Sequence, residues 1–222
     1  MPKKRTIVLV LAVIATVITV VLLSHSESFR NLFESITLWA KDLMAANPLL
    51  GALVFFLFSM LSAMLAFASS VALVPPANLV FGKLITFLLL WGGWVAGAIV
   101  AYLIGSLARP LLIRLGYKEK LKKYEAYVSR RMKFWMVLLF CFAVPSEIPG
   151  YVMGGVHYSF WRFLIAMAFT EGIYALAAVF AGESLLADSP LPLIIIVAAV
   201  TLVGTGAGML FRKFRKRRSR SQ

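Results

Sequence analysis

Long apolar runs separated by short polar stretches organise this chain. Ile7–Leu23 is apolar over 17 residues, about 25 Å as a helix and so near the low end of a membrane span. Ser28–Ala46 sets Phe29, Leu32, Phe33, Ile36 and Leu43 beside Arg30, Glu34, Lys41 and Asp42. That spacing predicts a helix lying on a membrane surface. Leu49–Val74 is apolar over 26 residues and ends at Pro75-Pro76, and Leu84–Leu107 follows as a span of 24. Phe134–Val144 is only 11 residues long and stops at Pro145, while Phe160–Ala181 and Leu191–Phe211 are long enough to cross.

Eleven residues reach about 16 Å, half of a ~30 Å hydrocarbon core. Phe134–Val144 therefore predicts the entering limb of a re-entrant hairpin. Pro145 and Pro149 break it, and Gly150, Gly154 and Gly155 let the chain return. Composition agrees with a membrane protein: 61% of the 222 residues are hydrophobic and 14% charged, against about 25% charged in soluble domains. A soluble enzyme, a disulfide scaffold and a disordered chain are excluded, and the single cysteine, Cys141, forms no disulfide framework.

Charge placement fixes the expected topology. Of the 23 Lys and Arg residues, three lie in Lys3–Arg5, nine in Arg109–Lys133 and seven in Arg212–Arg220. If Leu49–Val74 crossed fully, the Arg109–Lys133 loop would face outside, against the positive-inside rule. If it is a hairpin entering from the outer side, every basic cluster falls inside. The expected fold is thus all-α, with four transmembrane helices and two oppositely oriented re-entrant hairpins. The basic loop and tail then meet anionic headgroups rather than nucleic acid. Both termini are expected in the cytoplasm and, with no recognisable eukaryotic extension, the membrane is expected to be a bacterial inner one. The first helix reads as uncleaved, because Ser24–Ser28 lacks a small-x-small site.

The two halves match. Pro76-Ala-Asn-Leu-Val-Phe-Gly82 and Pro149-Gly-Tyr-Val-Met-Gly-Gly155 share the proline-to-glycine spacing, and the spans after them end near Gly105 and Gly182. Paired Gly/Pro-interrupted segments point to a transport site at an inverted repeat. The organisation expected is an N-terminal anchor over 1–48 and a membrane domain over 49–185. Its repeats fall at about 49–108 and 134–185, and a helix with a basic tail fills 186–222.

Val144-Pro-Ser-Glu-Ile-Pro-Gly-Tyr-Val-Met-Gly-Gly155 with Ser159-Phe-Trp-Arg-Phe163, and Val74-Pro-Pro-Ala-Asn-Leu-Val-Phe-Gly82, resemble the two half-motifs of the DedA/VTT (SNARE-associated Golgi protein) family. The resemblance implies two inverted hairpin-plus-helix repeats that move or scramble phospholipid or polyprenyl-phosphate lipid between leaflets. Alternatives are an ion- or proton-coupled small-solute transporter and a non-transporting scaffold. The family's proton-coupled members carry arginines around the second-hairpin proline and an acid in the first hairpin. Here no Arg occurs between Arg131 and Arg162 and the first hairpin has no charge, so those roles do not carry over.

Glu147 leads the transport-pathway candidates, as the one acid in either hairpin; a carboxyl there is expensive to bury and can hold and release a proton. Its other reading is a helix cap. Glu171, mid-way along Phe160–Ala181, is second, with an interhelical hydrogen bond as its alternative. Pro75, Pro76, Pro145 and Pro149 make the breaks, and Asn78 offers a hydrogen bond at the first. Arg162 can meet a lipid phosphate or simply snorkel. Gly93, Gly97 and Gly105 form a small-residue stripe for helix packing, and Gly204 and Gly208 suggest a contact within a homo-oligomer. The five tryptophans, Trp39, Trp91, Trp94, Trp135 and Trp161, fit interfacial belts. No enzyme constellation, metal-ligand spacing or nucleotide loop occurs, so neither a cofactor nor a metal is expected.

The topology makes a direct prediction. Lys122→Cys in a Cys141→Ser background should react with an impermeant thiol reagent only after the membrane is opened. Labelling from the outer face of intact cells would overturn the two-hairpin topology.

Overall fold

The computed structural model describes residues 27–65, 69–114, 119, 133–144, 147–186 and 191–219. Among these every regular element is helical: α1 Glu27–Ala46, α2 Pro48–Ser62, a 3-10 turn Ser70–Leu73, α3 Val74–Leu112, α4 Phe134–Ala143, α5 Glu147–Gly155, α6 Phe160–Leu186 and α7 Leu191–Ser219. The expected first span, Ile7–Leu23, and Pro145 lie outside the described residues, as does nearly all of the basic loop from 115 to 132.

Local chemistry explains the ends. Asn47 caps α2, its Oδ1 accepting from the Leu50 N–H at 3.1 Å, with Pro48 in the first turn, where its missing N–H costs nothing. Pro75 and Pro76 also occupy a first turn, at the start of α3, and Pro149 is the third residue of α5. These prolines therefore begin helices rather than break them. The described non-helical residues lie just upstream: 63–65 and 69 before the 3-10 turn, and Val144 before α5.

Gly82 divides α3. Its φ of 74° and ψ of 164° fall in a region open essentially to glycine alone. The short arm 74–81 thus ends there and a long arm, 83–112, begins. The apolar run Leu84–Leu107 predicts an end before the basic loop; the helix instead runs through Pro110 to Leu112. In the second half, α5 turns into α6 through His157, which has φ 50°. Its N–H bonds the Gly154 carbonyl at 3.0 Å, and the Tyr158 N–H bonds that of Met153 at 3.0 Å. That pattern closes a helix with a left-handed residue.

Each half is therefore a pair of short helical limbs followed by a long helix. One core joins Phe55 of α2, Val74 and Ala77 of the short arm, Leu90 and Trp94 of the long arm, and Ala175 and Val179 of α6. A second joins Met136 and Val137 of α4, Met153 of α5, Phe163 and Met167 of α6, and Ala98 of the long arm. Each pair of limbs nests on both long helices. In α1, Thr37, Ala40 and Met44 are buried against the rest of the chain.

Among the described residues two helices are long and apolar enough to cross a membrane, within 70–110 and 160–184. The apolar described part of α7, Ala198–Leu210, is shorter. The outward faces of the long helices carry Leu84, Leu88, Leu103, Leu107, Ile165 and Phe169, a surface that suits lipid rather than water.

Gly82→Ala should cost about 1–3 kcal/mol although a methyl group there would meet nothing within 4 Å, because the strain lies in the backbone. His157→Gly should gain up to about 1 kcal/mol by removing a left-handed penalty. Unfolding in detergent checks both, and an unaffected Gly82→Ala would show that the kink does not depend on glycine.

Candidate functional site

The two long helices hold the opposite half's limbs by close approach. A side chain at Gly154 of α5 would meet the Tyr102 carbonyl, and one at Gly105 the Tyr151 carbonyl. Gly182 of α6 does the same for the short arm, where a Cβ would stand 2.8 Å from Val74 Cγ1 and 3.4 Å from the Pro75 nitrogen. Gly93 and Gly97 face Ser59, Met60 and Ala63 at the inner end of α2. Gly204 and Gly208 lie over Phe142 and Ala143 within the chain, so they serve packing of α7 on its own protein.

Polar side chains pin these contacts. Asn78 Nδ2 donates to the Val179 carbonyl at 3.0 Å, and Trp91 Nε1 to the Ala168 carbonyl at 2.8 Å. Trp94 Nε1 donates to Ser70 Oγ at 2.9 Å, and the Ser70 N–H donates to Ser62 Oγ at 3.1 Å. Tyr151 donates to the Met64 carbonyl at 3.2 Å, Tyr174 to that of Phe142 at 2.9 Å, and Tyr102 to that of Tyr158. Trp91 and Trp94 are therefore internal pins, not belt residues. Trp39, Trp135 and Trp161 are 66–70% exposed and fit the belt.

The bond from Trp94 to Ser70 shows how deep the first pair of limbs reaches. Trp94 lies eleven residues beyond Lys83, about 16 Å along the helix. In the second half, Phe142 meets Phe169 and Tyr174, more than two turns into α6. The two tips converge at mid-length. Between them lies a cavity of about 460 Å³, walled by Val71, Trp94, Phe142, Val144, Tyr174 and Thr201, with Glu171 in its lining. It shares Tyr174, Ala177, Ile196 and Val200 with an apolar groove of about 540 Å³ between α6 and α7. Ile173, Leu176, Phe180 and Val203 form the exposed rim of that groove. Glu183 also lines the groove and pairs with Lys83 at 2.6 Å, the Lys83 ammonium lying 5.7 Å from the Phe180 ring centroid.

A model of the VTT domain matches residues 69–184. The chain belongs to the VTT-domain family, that of the DedA and SNARE-associated Golgi proteins. It is a membrane protein of that family. No curated protein and no solved structure matches it. The VTT domain match opens at the first turn between limbs and closes at the end of the groove. It therefore includes the short and long arms of α3, the second pair of limbs and α6 with Glu171, and leaves α2 outside.

Within this VTT domain the candidate residues separate. Glu171 is 2% exposed and lines the cavity. Glu147, the first residue of α5, does not line it but lies within electrostatic reach of Glu171; its Oε2 is buried with no hydrogen-bond partner among the described residues. Pro75, Pro76 and Pro149 are buried scaffold. Asn78 spends its amide on Val179, and its Oδ1 has no partner among the described residues. Arg162 is exposed and lines neither cavity nor groove. Sequence reasoning missed Trp94, Phe142 and Tyr174 as cavity walls. The one signal available was the place of Phe142 just before the second break; nothing along the chain marked Trp94 or Tyr174.

Gly154→Ala should be destabilising by about 1–3 kcal/mol, because its methyl group meets main chain that cannot rotate away. Gly206→Ala, with nothing within 4 Å, is the matched control. Thermal unfolding of the two variants in detergent separates them, and equal stability would show that the α3–α5 contact has slack.

Proposed function

We propose that this VTT-domain protein moves lipid between membrane leaflets, as a translocase or scramblase of phospholipid or polyprenyl-phosphate lipid. In this reading the paired limbs are re-entrant hairpins from opposite faces, and the long helices and α7 cross. The termini and the basic loop are cytoplasmic in a bacterial inner membrane, with the basic segments on anionic headgroups. The protein acts without covalent chemistry, as a monomer or a homo-oligomer.

One observation carries the proposal: the mid-depth cavity holding Glu171 shares its walls with an apolar groove whose rim is exposed. Such a shape suits an amphiphile, with the head at mid-depth and the tail remaining beside α6 and α7. Irregular backbone at membrane depth is tolerated where it lines such a cavity. A scaffold needs no such space. A proton- or ion-coupled small-solute transporter is favoured by the Glu147–Glu171 pair, but it has no use for a tail groove.

Reconstitution into liposomes with a leaflet-specific lipid reporter tests this reading. Glu171→Gln should slow lipid movement by about tenfold or more with little change in thermal stability, since a buried carboxyl in a membrane is kept for function. Glu147→Gln should slow it too, and Glu147→Asp should keep part of the activity. Wild-type protein that moves no lipid would overturn the proposal. A fully active Glu147→Gln would remove Glu147 from the pathway.

A further inference from the structure

Glu171 is buried to 2% exposure in the wall of the cavity between the limb tips, and no basic residue lines that cavity among the described residues. The described charge that acts on Glu171 is another acid, Glu147. A carboxylate buried in such a wall, with a second acid acting on it and no basic partner in the lining, is unfavourable unless a cation or a proton neutralises it. While Glu171 is ionised, a phosphate or any other anion placed there is repelled.

The remaining walls narrow the choice of cation. Trp94, Phe142 and Tyr174 contribute three aromatic rings. The indole N–H of Trp94 is taken by Ser70, and the hydroxyl of Tyr174 by the Phe142 carbonyl. What these residues have left to offer is ring surface. A bare metal ion wants several oxygen ligands, and no group of metal-binding side chains occurs among the described residues. An alkylated ammonium wants the opposite: aromatic faces, one counter-charge and apolar walls. At about 460 Å³ the cavity is large enough for such a head, and the adjoining groove accepts a chain attached to it.

We infer that the cavity between Trp94, Phe142, Tyr174 and Glu171 is a binding site for the ammonium head of an amine- or choline-bearing amphiphile. This deepens the lipid-transport reading and rests on it for biological purpose, but binding is measured without transport. The head docks on Glu171 with the rings around it, and the tail lies in the groove between α6 and α7. Anionic portions of the same lipid stay outside the cavity.

The test is equilibrium dialysis of the full chain, in a non-ionic detergent, against decyltrimethylammonium and against decyl phosphate. The tails are identical, so the difference reports the head. The ammonium compound should bind at least about tenfold more tightly, an order set by one buried charge pair. Glu171→Gln should abolish that preference while leaving the tail-driven part of binding. Phe142→Leu should weaken the ammonium compound severalfold and leave decyl phosphate unchanged, which keeps the test decisive if Glu171→Gln does not fold. Equal binding of the two heads in the wild type would mean that Glu171 holds only a proton, and would overturn the inference. So would a preference for the phosphate, or a preference that survives Glu171→Gln. Ammonium binding without lipid movement in liposomes would sink the transport reading and leave this site standing. Lipid movement without ammonium preference would do the reverse.

Discussion

Wherever a helix stops inside apolar surroundings, its last carbonyls lose their partners, and each one left unpaired costs several kcal/mol. The rest of this protein depends on meeting that constraint. Its limbs end near mid-length of the long helices, and tyrosines from other elements supply the missing donors. Tyr174 of α6 caps the Phe142 carbonyl at the end of α4. Tyr151 of α5 caps the Met64 carbonyl beyond α2; away from the tips, Tyr102 of the long arm donates to the Tyr158 carbonyl in the turn between α5 and α6. The hydroxyl of Ser62 accepts the Ser70 N–H and Ser70 in turn accepts from Trp94, so the first turn is satisfied from within and from the long arm.

These donors reach their carbonyls only because the backbones come close. Gly105 and Gly154 let α3 and α5 touch main chain to main chain, and Gly182 does the same for α6 and the short arm. The arrangement has a pseudo-twofold character: each half's limbs are gripped by the long helix of the other half as well as by their own. Small residues at the crossings and polar side chains across them are the forces available where lipid removes the hydrophobic advantage of helix association.

Holding the tips at mid-length also leaves room between them. Two opposed limbs that each stop half-way cannot fill the centre, and the space between Val71 and Val144 is lined by rings and by Glu171. The cavity is thus a consequence of the fold, because the limbs stop before they meet. Glu147, at the first turn of α5, stays outside the lining and acts on Glu171 only through its charge.

Much of this was legible along the chain. Apolar run lengths located the helices, since a run such as Phe134–Val144 is too short to cross. The proline-to-glycine spacing of 76–82 and 149–155 located the repeats, and the residues around them located the family. Those features are local, and local backbone chemistry sets them. That Glu171 rather than Glu147 lines the cavity was not legible, nor was the use of Trp91 and Trp94 as internal donors or of Gly204 and Gly208 within the chain. Asn78 finds Val179 across 101 residues, Tyr151 finds Met64 across 87 and Trp91 finds Ala168 across 77. No periodicity carries such pairings. Which acid faces a cavity depends on how two limbs meet after the chain has folded back twice, and only tertiary packing decides that.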